Sequence, residues 1–535
     1  MTNIIDITQF LDQQPHTRHE ILLDFEITRP HFKETRDVVE EAYYDKGNKD
    51  RNAMSFAKSI IADLKSCGTF YRCDPYLFYC FENIALVHLD PKNPLFGTLL
   101  ENYGVVKSHK AFSIVNQMLQ NHCYSKGTIS HIRHFAHYDK ENGVLYRSNF
   151  SNHTWRIAHD GITIIQNGKD EVMFRNSEGS TILDHHATLG KGLFDEIVLL
   201  PLIAQLDNEN EYGISVDDQM KILEYWIYSL FFESIQHTKP IMCALGPAGS
   251  GKTSVLRRIG RILFGPGFDV RTMPENRKDF DSTVLRNSYL VFDNVDGFRP
   301  WMCDGLSQVA TGATLEYRKL YSDFDTTRED PHCFLGITAR TPKFARDDVS
   351  SRCLFLHTQK IKDVVSEEDL ALQINSNRNA LALEMNEKLQ RIVKSLHENP
   401  ESPKTAFRMG DFASFCLRAA RGLGEESELR SILDRISGSQ STFTLENSSF
   451  ADVFRLWASE FLLDTRLITL ETVRSEMTRV AEGHKIELRG LNRPHSFRSQ
   501  FTTSLDSLRN IGFRIQPTSD KDNKRHKVWR FALQW

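Results

Sequence analysis

Apolar positions change period several times along this chain, and each change marks an element. From Phe56 to Leu64 they recur at helical spacing. Phe70 to Tyr71, Tyr76 to Tyr79 and Ala85 to Leu89 read instead as short strands with turns between them. Ile129 to Tyr138 and Val144 to Arg147 predict a hairpin around a charged turn ending in Gly143. Gly161 to Ile165 and Val172 to Phe174 repeat that habit around Asn167 and Gly168. Ser215 to Ile235 reads as a long helix. Compact apolar runs then follow at Ile241 to Leu245, Ser288 to Asp293 and Cys333 to Thr338, each with the length of a buried strand. Glu367 to Gly424 returns to helix. Near the end, Phe497, Phe501, Leu505, Leu508 and Ile511 form one helical face, and two strands flank a charged tip at Asp520 to His526. Helix, strand, tip, strand is the outline of a winged helix.

These patterns divide the chain into five segments: a helical N-terminal segment 1–52, an α+β domain 53–210, an α/β core 211–360, a helical lid and linker 361–446, and a winged-helix-like unit 447–535. The 535 residues, 40% hydrophobic and 25% charged, are ordinary for a globular protein of several domains. Nine scattered cysteines without a CxxC pair fit reduced thiols and predict a cytoplasmic protein. The start lacks a basic, apolar leader, and no apolar run approaches the roughly 20 residues of a membrane helix. A net charge of −4 gives no overall nucleic-acid signature. From Arg466 onward, however, fourteen Lys and Arg face seven Asp and Glu. That local surplus makes Arg498, Arg509, Lys524 and Arg525 candidate DNA contacts, the helix reading a groove and the tip touching phosphates.

The chemistry is concentrated between the first two buried strands. Gly246, Pro247, Ala248, Gly249, Ser250, Gly251, Lys252 and Thr253 read GxxxxGKT, with Ser254 opening an apolar-periodic helix. Glycines permit the tight turn that faces backbone N–H groups toward an anion. Lys252 can reach β and γ phosphates, and the Thr253 hydroxyl can hold Mg2+. About 40 residues on, a buried strand ends in Asp293, where a carboxylate would hold Mg2+ beside the phosphates. The neighbour is Asn294, with Asp296 two further on, and either could polarise water. The third strand ends in polar groups and suits a place between the other two, with Thr338 reaching a γ-phosphate or water. Arg352, at the start of a last strand, suits an arginine donated to a neighbouring subunit. His131, His134 and His137 alternate faces of one strand and cannot converge on a metal.

In order, the GxxxxGKT loop, "VFDNVD", "ATGATLEYRKLY", "ITARTPKFARDDVSSR" and "FRMGDF" resemble AAA+ helicases of mobile elements. The set is similar to the superfamily 3 and poxvirus-type primase-helicase group and to minichromosome-maintenance-like replicative helicases, over about Ser215 to Gly424. The resemblance implies a P-loop AAA+ core between the α+β and winged-helix-like domains. It also implies ATP and Mg2+ as ligands and a homo-oligomer, a hexamer, around DNA. Single strand would lie in the pore and duplex at the C-terminal domain, with a primase or other replication protein as a further partner. Arg352 would be the arginine finger, Arg408 a second sensor on the lid, and Arg318 and Lys319 the pore hairpin. Thr338 departs from superfamily 3, which usually carries Asn there. Besides a helicase, the sequence admits an ATPase that loads or remodels a partner, and an ATP-switched origin-binding protein.

Overall fold

The computed structural model describes residues 49–535, apart from 74–75, 82–84, 131, 152, 175–179, 209, 211–212, 298, 319–325, 341–346, 363–364, 447–448, 463–464, 485, 487–493, 511–512, 522–526 and 534–535. The expected helical segment 1–52 therefore lies almost wholly outside the described residues. The chain forms two compact units. The first takes in Met1–Asp139, Val144–Ile157 and Gly161–Ala187, and the second is chiefly Thr188–Trp535.

In the first unit, helices Lys49–Cys67 and Lys110–Lys126 cover a four-stranded sheet. Phe56, Ile60, Phe70, Tyr79, Phe96 and Leu119 are buried in the core between them. A second four-stranded sheet runs in chain order through Ala136–Asp139, Val144–Ser148, His153–Ala158 and Gly161–Gln166. The expected strand from Ile129 to Tyr138 is broken in three. Ile129 pairs with Arg72 in the first sheet, Ile132 pairs with Met173, and Ala136 opens the second sheet against Arg147. Of the three histidines His131 lies outside the described residues, and among the described residues no group of three or more His, Cys, Asp or Glu could hold a metal. For the same reason Gly161 to Ile165 and Val172 to Phe174 do not form a hairpin: Met173–Phe174 is parallel to Ile132–Arg133.

The expected boundary at residue 210 moves to 187, because the segment after Thr188 is tied into the second unit. There Leu206 bridges Thr358, and the Asp207 N–H donates to the His357 carbonyl at 2.8 Å. The centre of this unit is a five-stranded parallel sheet: β1 (Ile241–Leu245), β2 (Arg271–Thr272), β3 (Tyr289–Asp293), β4 (Phe334–Ala339) and β5 (Cys353–His357). Their order is β2-β3-β4-β1-β5. β1, β4 and β5 are buried at every residue, which explains their unbroken apolar runs. Around the sheet lie α1 (Val216–Ser229), α2 (Lys252–Phe264), α3 (Met302–Ala310), α4 (Glu367–Glu398), α5 (Gly410–Leu423) and α6 (Glu426–Glu446). Ser215 caps α1 and Ser366 caps α4, each accepting an N–H three residues on.

The last segment runs α7 (Ser449–Phe461), β6 (Arg466–Thr469), α8 (Leu470–Gly483), α9 (Pro494–Asn510), β7 (Phe513–Lys521) and β8 (Lys527–Leu533). The strands form an antiparallel sheet in the order β6-β8-β7. Phe454, Trp457, Phe501, Leu508 and Phe531 make one core among all these elements. Among the described residues no helix is long and apolar enough to cross a membrane. All nine cysteines carry free thiols.

Candidate active site

The GxxxxGKT loop joins β1 to α2 at the carboxyl end of the sheet. Gly246, Gly249 and Gly251 have φ of 152°, 75° and 75°. A Cβ on Gly246 would lie 2.2 Å from the Thr358 carbonyl oxygen, so a side chain is excluded by space as well as by torsion. The Ser250 hydroxyl donates to the Pro247 carbonyl at 2.9 Å and shares a hydrogen bond with the Thr358 hydroxyl at 2.7 Å, which fixes the loop from within. Among the described residues no side chain caps the start of α2, which leaves its first amides to an anion.

The Lys252 ammonium, almost wholly buried, donates to the carbonyls of Gly246 at 2.8 Å and Pro247 at 2.6 Å. Burial, then the positive charge of Arg340, holds its pKa below the ordinary lysine range, against the pull of Asp296 and Asp293. A cation held on neutral oxygens of a glycine turn fits a polyphosphate, whose oxygens are stronger acceptors. Ser254 does not join that lining. Its hydroxyl donates to Glu367 at 2.6 Å, and Glu367 also pairs with Arg257 and Arg261, so this serine fastens α2 to α4.

Asp293 ends β3 two strands away from β1, and β4 fills the gap between them. Its Oδ1 accepts from the Thr253 hydroxyl at 2.6 Å and from the Thr338 hydroxyl at 2.5 Å. Thr253 and Asp293 are thus already side by side as hard oxygen ligands, the donor set Mg2+ prefers. Thr338 is fully buried, and its hydroxyl meets the same Asp293 oxygen as Thr253. It donates to Asp293, accepts the Asn294 N–H at 2.9 Å and, through its carbonyl, accepts the Val295 N–H at 2.8 Å. These bonds hold Asp293 and the turn behind it. Asn294 lies in that turn with φ of 53°, a left-handed conformation that asparagine tolerates better than most residues. Its exposed amide donates to Asp293 Oδ2 at 3.1 Å. Asp296 instead accepts the Arg340 N–H at 2.7 Å. Of the two candidates for orienting water, Asn294 is therefore the one beside the acid. Arg340, whose charge Lys252 feels, escaped the sequence reading although it stands only two residues after Thr338.

Arg352 and Arg408 are not at this end of the sheet. Arg352 precedes β5, and its carbonyl accepts the Ile241 N–H at the amino end of β1. Its guanidinium donates to the Asp348 carbonyl and, at 3.5 Å, to the Ser307 hydroxyl of α3. Five residues of β5 separate it from the level of the loop, about 16 Å at 3.3 Å per residue. Arg408 donates to the Ser351 hydroxyl at 2.5 Å, next to Arg352. The Asp411 carboxylate at the start of α5 brings it there by accepting the Thr238 N–H at 3.0 Å and hydroxyl at 3.2 Å.

Of the expected DNA contacts, Arg318 ends the strand Leu315–Arg318, which pairs antiparallel with Thr326–Glu329. Lys319 lies outside the described residues, as do Lys524 and Arg525. Arg498 is exposed on α9. Arg509 is committed to structure, because its guanidinium donates twice to the Ile515 carbonyl, at 3.1 and 2.9 Å, and joins α9 to β7.

His357 closes β5 level with Leu245. Burial pushes its pKa down to about 4, with Asp207 opposing. The folded protein therefore resists a proton that the unfolded chain accepts near pH 6.5. The associated stability is complete above pH 6.5 and is lost as pH falls toward 4, up to about 3 kcal/mol. Urea unfolding at pH 7 and pH 4.5 should show His357→Gln losing less stability on acidification than the wild-type chain.

Residues 221–439, less than half of the chain, match the family described as actinomycete integrative conjugative element replication protein. No curated protein matches. Among solved structures, an A-form apo structure of the NrS-1 C-terminal region is similar with a TM-score of 0.41 and 10% identity, covering 89% of this chain and 98% of that one. A second apo structure of the same region gives a TM-score of 0.39 and 9% identity over the same shares.

Proposed function

We propose that this chain is an AAA+ ATPase that drives DNA unwinding as a ring, a hexamer, in the replication of a mobile element. The observation that carries the reading is the cluster of Lys252, Thr253, Asp293 and Thr338 at the carboxyl end of a β2-β3-β4-β1-β5 sheet. The family match over residues 221–439 supports the replicative setting. In this mechanism Lys252 leaves its carbonyl partners for the β and γ phosphates. Thr253 and Asp293 would hold Mg2+, which when bound would neutralise phosphate charge. Asn294 orients the attacking water. Arg352 and Arg408 serve the loop of an adjacent subunit. The strands at Leu315–Arg318 and Thr326–Glu329 present a hairpin to DNA in the pore, and the α7-to-β8 unit takes duplex as a winged helix.

The deciding test is ATP turnover with and without DNA, together with strand displacement on a forked duplex. DNA-stimulated turnover with displacement is the expected result. Turnover without displacement of any substrate would replace the helicase with a loader or remodeller.

The two arginines of α9 should separate by mechanism. Arg498→Ala should weaken duplex binding and reduce the salt slope by about one, since one exposed phosphate contact is lost. Arg509→Ala should instead lower the melting temperature of this unit, because two hydrogen bonds to Ile515 disappear. Fluorescence anisotropy at several salt concentrations and a thermal melt distinguish the two effects.

A further inference from the structure

The first unit carries a chemistry of its own, separate from the nucleotide loop. Between Glu101 and Asp139 the chain has no Asp or Glu, against Lys107, Lys110, Lys126 and Arg133. The helix Lys110–Lys126 lies wholly inside that run and shares a core with the helix Lys49–Cys67. Its end is fastened to the strand Gly68–Cys73. The Cys123 thiol donates to the Tyr71 carbonyl at 3.3 Å, and the His122 ring meets Phe70 edge-on at 5.1 Å between centroids. Just past the helix, Thr128 and Ile129 pair with Tyr71 and Arg72 at the edge of the sheet.

This corner is basic. Lys65 and Lys126, in the last turns of the two helices, are exposed. Burial first, then the positive charges of Lys65 and Lys126, hold the His122 pKa below the ordinary histidine range, so the three groups lie together. Asp63, the acid nearest Lys65 in the chain, accepts the Tyr103 hydroxyl at 2.6 Å. A lysine at a helix end complements the helix dipole, which accounts for the two lysines but not for the aromatic ring beside them. Tyr124 is 56% exposed. The Arg72 guanidinium lies over its ring, 3.9 Å from the centroid, and donates to the Tyr124 carbonyl at 3.4 Å. Ile129, the partner of Arg72 across the strand edge, is 77% exposed. An exposed ring steadied by an arginine, with further cations around it, is the arrangement on which an unpaired base stacks while its phosphates are neutralised.

We infer that this corner binds single-stranded nucleic acid, with a base stacked on Tyr124 against Ile129 and the phosphates on Lys65, Arg72 and Lys126. The site is independent of the nucleotide loop and of the winged helix. A duplex suits it poorly, because paired bases keep their faces inside their own stack.

Photo-crosslinking of the full chain, without ATP, to a DNA single strand carrying 5-iododeoxyuridine reads the site directly. Peptide mapping should place a crosslink on Tyr124, which separates this site from binding elsewhere in the chain. Unlabelled single-stranded DNA or RNA should displace that label, the stronger of the two identifying the strand, and duplex should displace it poorly. Tyr124→Phe, which keeps the ring, should be labelled at the same DNA concentration as wild type. Lys65→Gln combined with Lys126→Gln should need about tenfold more DNA at physiological salt and lower the salt slope by about 1.4, the loss of two single-strand phosphate contacts. Both lysines are exposed, so the fold should survive the change. Labelling confined to other residues overturns the proposal. So does an unchanged DNA requirement in the double variant, or displacement by duplex as strong as by single strand.

Discussion

Lys252→Ala should hydrolyse ATP about 10²–10⁴ times more slowly than the wild-type chain, with or without DNA. The factor comes from losing charge-assisted hydrogen bonds to two phosphate groups, each worth about 1.5–3 kcal/mol, where about 1.4 kcal/mol is tenfold in rate. The substitution should not unfold the protein. Among the described residues the ammonium binds the Gly246 and Pro247 carbonyls and the Ser250 hydroxyl, and burial already disfavours its charged form. Removing it relieves a desolvated cation and leaves carbonyls at the mouth of an open loop. A melting temperature within a few degrees of wild type, with phosphate release near zero, is the expected pair of results. Wild-type turnover in the variant would end the reading of this loop as a nucleotide site.

The loop and the acid strand were legible because their signals are local. Gly246 to Thr253 is one run of sequence, and Ser288 to Asp293 is apolar because β3 is buried by its neighbours. The place of the third apolar strand between the other two was legible as well, and β4 lies between β3 and β1, but that the Thr338 hydroxyl ends on Asp293 was not. Which end of the sheet Arg408 meets was not legible either. Its motif marks the start of α5, but the bonds of Asp411 to Thr238, 173 residues earlier in the chain, set which end of the sheet that start meets. Ser254 follows the loop in sequence, yet Glu367, 113 residues away, claims its hydroxyl. In the first unit, strands of two residues such as Ile132–Arg133 are too short to carry a period, so exchange between sheets looked like continuity.

Arg352→Ala should bind ATP nearly as well as wild type and hydrolyse it about 10³–10⁵ times more slowly, the range found for arginines that stabilise transferring phosphoryl groups. Its position makes the defect an intersubunit one. The length of β5 holds the guanidinium at the amino end of the sheet, too far from its own loop, so only a second copy can bring the two together. Mixing Arg352→Ala with Lys252→Ala should therefore restore activity. In rings assembled at random from equal amounts, about a quarter of head-to-tail interfaces combine an intact loop with an intact arginine edge. Arg408 shares that edge through Ser351, so Arg408→Ala should also be rescued by Lys252→Ala. It should not be rescued by Arg352→Ala, because no subunit in that mixture carries both arginines. Phosphate release from the three pairwise mixtures, with co-assembly checked by size-exclusion chromatography, reads the pattern directly. Recovery in the Arg352→Ala and Arg408→Ala mixture would separate the two arginines, and no recovery in either mixture with Lys252→Ala would return Arg352 to a structural role within its own subunit.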